Sequence, residues 1–113
     1  MTDMLQGDIA WAHLDPIAGS EQGGRRPVVI ISGNTLNEHL PVRIVCPLTK
    51  HKKALTGRVY IERNKSNGLK QDSDVLVFQI RTLALSRFSK KIGAVTNEQV
   101  HAILESLDTI VRY

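Results

Sequence analysis

Hydrophobic residues recur at helical spacing in one place, the C-terminal end, where Val100, Ile103, Leu104, Leu107, Ile110 and Val111 fall on a single face. Thr96 and Gln99 ahead of them have the spacing of a capping box, in which each side chain satisfies a free N–H of the other. The pattern predicts a helix of roughly sixteen residues and 24 Å. Upstream the chain reads as short β-branched or alternating runs cut by turn residues. The predicted strands are Gly7 to Leu14, Val28 to Ile31, Val42 to Leu48, Gly57 to Glu62, Asp74 to Ile80, Thr82 to Ser86 and Lys90 to Val95. In the first, Ile9, Trp11 and His13 alternate against Asp8, Ala10 and Ala12, whereas Val28-Val29-Ile30-Ile31 is apolar throughout and expected to be covered on both faces. Asn34 to Leu40 reads as a short helical turn with Ser32 or Asn34 as cap. Thr49 to Leu55 reads as a basic loop, and Asn64 to Gly68 as a tight turn, because Asn-Gly suits positive φ. Strands do not alternate with helices, so a parallel βαβ sheet is excluded. The expected fold is mainly β (α+β), a small antiparallel barrel or curled sheet sealed by the C-terminal helix.

At 113 residues the chain, 1–113, is expected to form a single domain with a real core. Its one cysteine, Cys46, lies in an apolar run and reads as a buried small hydrophobe. Neither a signal-peptide pattern nor an apolar run of membrane-spanning length is present, so a cytoplasmic location is expected. Fifteen Lys and Arg against eleven Asp and Glu give a net charge of +4, which permits a polyanionic partner. The cations cluster at Arg25-Arg26, at Lys50-His51-Lys52-Lys53, and from Arg87 to Lys91.

The segment Gly19-Ser20-Glu21-Gln22-Gly23-Gly24-Arg25-Arg26-Pro27 carries the most chemistry. A glycine-rich loop delivers two arginines onto the start of an apolar strand, and Pro27 holds Arg26 extended. It is no P-loop, and it leads into a strand rather than a helix, unlike a dinucleotide fingerprint. Four scattered histidines, among them His13 near Asp15, and a single cysteine give no metal-ligand spacing. No nucleophile elbow is present. Phosphate chemistry through arginine and hydroxyls remains. RNA brings its own nucleophile, the 2′-OH, so an enzyme need only align it, stabilise the phosphorane and assist the leaving oxygen. Arginine's planar fork suits the phosphorane, and Thr49 could donate a hydrogen bond to the same phosphate.

Gly7-Asp8-Ile9, Gly19-Ser20-Glu21-Gln22 with Arg26-Pro27, Pro47-Leu48-Thr49, Asp72-Ser73 and Gln79-Ile80-Arg81-Thr82 occur in this order. Together they resemble the MazF/PemK family of toxin endoribonucleases from toxin–antitoxin systems, over nearly the whole chain. The resemblance implies an SH3-like barrel, a homodimer, and cofactor-free, metal-independent cleavage of single-stranded RNA at short sequences, leaving 2′,3′-cyclic phosphate and 5′-OH ends. It places Arg26 and Thr49 on the family's catalytic positions, and Ser20, Glu21, Gln22, Ser73 and Gln79 along the RNA groove. Arg25 reads as an auxiliary that steers phosphate, with Lys50 and His51 of the basic cluster as further RNA contacts. A guanidinium is almost never neutral at pH 7, so Arg26 is read as transition-state stabiliser and candidate proton donor, and the general base stays open. His51 is a candidate acid or base that the family does not require. Relatives often carry an acid soon after the Arg-Thr pair, where this chain has Leu83-Ala84-Leu85. The implied protein partner is an antitoxin with an acidic, initially disordered tail. Two alternatives stay open. A toxin of the same barrel superfamily that poisons DNA gyrase would not need Arg26 with Thr49. A plain RNA-binding module would stack bases on aromatic residues, which are only 4% here.

Overall fold

The computed structural model describes residues 4–15, 23–52 and 57–113. Among these residues seven strands and two α-helices follow in the order β1 (Asp8–His13), β2 (Arg25–Ile30), α1 (Asn34–His39), β3 (Val42–Lys50), β4 (Arg58–Ile61), β5 (Ser73–Leu76), β6 (Arg81–Ala84), β7 (Phe88–Ala94) and α2 (Asn97–Arg112). All strand pairs are antiparallel, and the sheet runs β4-β5-β3-β2-β1-β7 with β6 also on β3. The mainly-β fold with a C-terminal helix is the one read from the sequence.

Strand β3 organises the sheet by changing partner along its length. Val42 to Val45 pair with β6, Val45 to Pro47 with β2, and Leu48 to Lys50 with β5. Both faces of the curled sheet are covered. One core packs Ile9, Val29, Cys46, Leu48, Ile61 and Val75 against Val100 and Ile103 of α2. The other packs Ala12, Leu14, Val28, Ile30, Val45 and Leu83. That is why the Val28–Ile31 run is apolar without alternation.

The path of paired strands ends at β4 and β7, and the turn of residues 64–68 ties these ends together. The Ala94 N–H donates to the Ser66 carbonyl at 3.0 Å. Asn67 is buried and accepts from the Asn64 and Leu69 amides while donating to the Glu62 carbonyl. Gly68 has φ +68°, and a Cβ there would fall 2.0 Å from the Ile92 carbonyl oxygen, so the turn lies on β7 only because this residue has no side chain.

Several local expectations are corrected. Trp11 is half-buried and His13 exposed, while Asp8, Ala10 and Ala12 are buried, because β1 lies between β2 and β7 with cores on both faces. Strand β2 begins at Arg25, so Pro27 lies inside it rather than at its start; its partner there is Trp11, and pairing to β3 starts only at Val28. Neither Ser32 nor Asn34 caps α1. Gly33 is the cap, while the Ser32 hydroxyl donates to Asn37 at 2.6 Å and accepts the Ile44 amide. Thr49 and Lys50 belong to β3 and not to a loop, since β5 pairs with them. The runs from Asp74 and Thr82 are shorter strands that end in 3₁₀ turns at Val77–Gln79 and Leu85–Arg87. In α2 the capping box forms as read, but only part of the apolar face is used. Val100 and Ile103 are buried and Leu107 and Ile110 pack at their edge, whereas Leu104 and Val111 are exposed.

Candidate functional site

Arg26 and Thr49 come from strands that pair with each other only further down. The last β2–β3 pair is Val28 with Pro47, and the same register continued by two residues sets Arg26 level with Thr49. Here β3 leaves β2 for β5, where Thr49 is opposite Asp74, and Asp74 in turn is opposite Tyr60 of β4. Residues directly opposite share a face of the sheet. Arg26, Thr49, Asp74 and Tyr60 therefore form one row across four strands, interrupted where β2 and β3 part.

A cleft of about 400 Å³ opens at this parting. Arg25, Arg26, Thr49, Lys50 and Ser73 line it, together with Trp11, Pro27, Leu48, Ile92 and the segment of residues 68–71. Its charged lining residues are Arg25, Arg26, Lys50 and Lys70, with no carboxylate among the described residues. Four cations facing one concavity raise the local concentration of a polyanion. Arg25 lies over the Trp11 ring with its guanidinium carbon 4.5 Å from the centroid, a cation–π contact. Arg26 donates from Nε to the Gly23 carbonyl at 3.1 Å, which fixes the stem of its guanidinium group.

The segment before β2 is anchored at both ends. Leu14 N–H donates to the Gly24 carbonyl, and the Gly24 amide donates to the Asp15 carboxylate at 3.0 Å. Arg81 donates to the Leu14 carbonyl at 2.9 Å, and Arg87 to the carbonyls of His13 and Asp15. Arg81 of the Gln-Ile-Arg-Thr motif is thus a structural brace.

The sequence-predicted site residues divide into groups. Arg25, Arg26, Thr49, Lys50 and Ser73 converge on the cleft, although the Ser73 hydroxyl donates to the Gln71 carbonyl at 2.9 Å and is buried. Gln79 ends a 3₁₀ turn away from the cleft lining. Ser20, Glu21 and Gln22 lie outside the described residues. His51 follows Lys50 but turns its ring onto Asp74, with Nδ1 2.7 Å from Oδ1. Asp74 also accepts the Lys52 amide at 3.1 Å and a longer contact from Arg58 at 3.4 Å. Burial pushes the Asp74 carboxyl up, but the His51 hydrogen bond, the Lys52 amide, the His51 charge and Arg58 outweigh it and hold it below the usual range. Burial pushes the Cys46 thiol up to about 12, which removes it as a nucleophile. His101 is exposed on α2 and pairs with Glu105 at 2.6 Å. Among the described residues no three His, Cys, Asp or Glu side chains come together as a cation site.

Sequence reasoning missed Trp11, Lys70 and Gln71 as cleft residues, and Asp74 as a polar centre. For Asp74 a signal was present: a carboxylate inside the strand Ser73-Asp74-Val75-Leu76 needs a partner once buried. Lys70 and Gln71 had none, because only the turn's reach to β7 carries them to the cleft.

A small curled β-sheet with a cationic cleft, lined by an arginine and a strand-end threonine, is a class of fold whose open face attracts anions. The family model for the PemK-like, MazF-like toxin of type II toxin–antitoxin systems matches residues 5–111. The chain is 38% identical over 107 residues to Endoribonuclease MazF of Staphylococcus saprophyticus, covering 93% of this chain and 88% of that protein. The crystal structure of MazF from Deinococcus radiodurans superposes with a TM-score of 0.83 at 23% identity, covering 97% of each chain. An endoribonuclease in complex with its cognate antitoxin from a mycobacterial species superposes with a TM-score of 0.78 at 21% identity, over 96% of this chain and 95% of that one. The chain belongs to the PemK-like, MazF-like toxin family of type II toxin–antitoxin systems. The expected SH3-like, barrel-like architecture is shared with the solved MazF structures, with the sheet edges joined by a turn rather than by strand pairing.

Proposed function

We propose that this chain is a toxin endoribonuclease that cleaves single-stranded RNA at short sequences, without metal, through attack of the 2′-OH on the adjacent phosphate. The reading rests above all on Arg26 and Thr49 lining one cleft whose charged lining is entirely cationic among the described residues. It is supported by the 38% identity to a protein named Endoribonuclease MazF. Arg26 holds two phosphate oxygens and stabilises the dianionic phosphorane, and the Thr49 hydroxyl donates to the same group. Arg25, Lys50 and Lys70 draw the flanking phosphates in. The products are a 2′,3′-cyclic phosphate and a 5′-OH. Ser20, Glu21, Gln22, Ser73 and Gln79 are carried by the family resemblance as groove residues. The working unit is a homodimer of one domain per chain in the cytoplasm. The protein partner is a cognate antitoxin whose acidic tail competes with RNA for the same cations, a reading supported by the antitoxin-bound mycobacterial relative.

The test incubates purified protein with a long mixed-sequence RNA in excess EDTA and sequences the new 5′ ends. Cleavage at a recurring short sequence with 5′-OH termini is the expected result. Cleavage that needs added metal, or RNA left intact while DNA supercoiling by gyrase is blocked, refutes the reading.

A further inference from the structure

The roles above leave the 2′-OH proton without an acceptor, and they leave His51 and Asp74 without a task. Asp74 has its side chain 2% exposed, while the His51 side chain above it is 38% exposed. A carboxylate held ionised can only accept, so the His51 nitrogen facing it at 2.7 Å, Nδ1, carries the hydrogen. In the neutral ring the lone pair is then on Nε2, the nitrogen turned away from Asp74. The ring is also packed edge-on by Tyr60, with centroids 4.5 Å apart and planes at 63°. The Lys52 amide and Arg58 fix the second Asp74 oxygen, and the His51 amide donates to the Asp72 carbonyl at 2.9 Å. His51 follows the last residue of β3, and its amide hydrogen bond to Asp72 carries the β3–β5 ladder one step further, so its ring meets the same Asp74 that Thr49 pairs with. A buried carboxylate is costly to keep. Here it fixes the tautomer and orientation of a half-exposed imidazole one strand position beyond the cleft residue Lys50.

We propose that His51 is the general base of RNA cleavage and that Asp74 is its positioning residue, an assignment that rests on the endoribonuclease reading. Nε2 takes the proton of the 2′-OH as its oxygen bonds to phosphorus. The bond from phosphorus to the 5′-oxygen breaks, that oxygen takes a proton from solvent water, and the imidazolium returns its proton to the hydroxide formed. Asp74 and, one shell further, Arg58 face the ring from β5 and β4. Tyr60 packs against it, Asp72 lies beneath its amide, and Lys50 and Lys52 flank it in the chain.

The test uses a short RNA carrying the mapped cleavage site and an analogue with sulfur in place of the 5′-bridging oxygen, whose thiolate departs without a proton. For the wild type the rate rises with pH through one ionisation and then levels. His51→Ala is expected to be about 100-fold slower, flat across that limb and equally impaired on both RNAs. Asp74→Asn is expected to lower kcat on both RNAs with KM little changed, because the imidazole loses the partner that fixes its tautomer and orientation. Three results overturn the proposal: a His51→Ala rate and limb like the wild type, a defect that the sulfur analogue erases, or an Asp74→Asn kcat like the wild type. Should circular dichroism show His51→Ala unfolded, His51→Gln takes the same measurements with the same criteria. A wild type that cleaves no RNA defeats the underlying reading first, an outcome separate from an active wild type with unaffected variants.

Discussion

The two ends of the cross-strand row are built differently. At the β2 end, Arg26 is held through Nε alone among the described residues, by one bond to the Gly23 carbonyl. At the β5 end, Asp74 is met by His51, the Lys52 amide and Arg58, and is almost wholly buried. The first arrangement leaves a guanidinium fork ready for a ligand's oxygens. The second spends its hydrogen bonds on neighbours, and so can orient another group but cannot bind substrate itself. Within one row, the sparsely bonded residue is the one suited to contact and the densely bonded one is suited to support.

This contrast can be broken in order of expected effect. Arg26→Ala should lower RNA cleavage by about 10²–10³-fold while shifting the melting temperature little, since one backbone contact is lost. Single-turnover rates beside thermal unfolding check it, and a large loss of stability would show Arg26 to be structural. Gly68→Ala should cost at least about 2 kcal/mol, because it adds a disfavoured positive φ to a clash with the Ile92 backbone. Denaturant unfolding measures this, and cleft function should fall with it as Lys70 and Gln71 lose their footing. Thr49→Ala should slow cleavage by about 10–100-fold, the worth of one hydrogen bond to a charged group. Its substrate affinity, read from KM, should change less than kcat.

The smallest effect concerns acid. The Asp74 carboxyl lies below the usual range when folded. Its stabilisation is therefore complete above the unfolded value near about 3.9, and is lost as pH falls through the lower native value. Melting curves of the wild type should steepen their decline below about pH 4, and Asp74→Asn should flatten that decline. Equal acid slopes for the two proteins would mean that Asp74 is not held by its partners.

Much of this was legible in the sequence where local chemistry decides the outcome. The α2 capping box needs only Thr96 and Gln99, and the Asn67-Gly68 turn needs only its own backbone preference. The doubly buried Val28–Ile31 run announced itself by lacking alternation. Arg26 and Thr49 could be read as site residues because family motifs carry them. What escaped reading depends on distant partners. Thr49 and Lys50 look like the start of a basic loop until β5 pairs with them, and Pro27 looks like a strand opener until Trp11 is found opposite. Leu104 and Val111 match the helical period, yet stay exposed, because the core takes up Val100, Ile103, Leu107 and Ile110 of α2. The His51–Asp74 contact joins residues that no local pattern relates.

The placement of β1 between β2 and β7 also shapes how this fold assembles. Asp8 pairs with Ala94, so one of the first strands made waits for one of the last. Pairings so far apart in sequence close slowly, because the chain's entropy is spent before the contact rewards it. A chain lacking β7 leaves an edge of β1 open. The sheet is therefore complete only when β7 meets β1, and that long-range closure sets the pace at which the fold assembles.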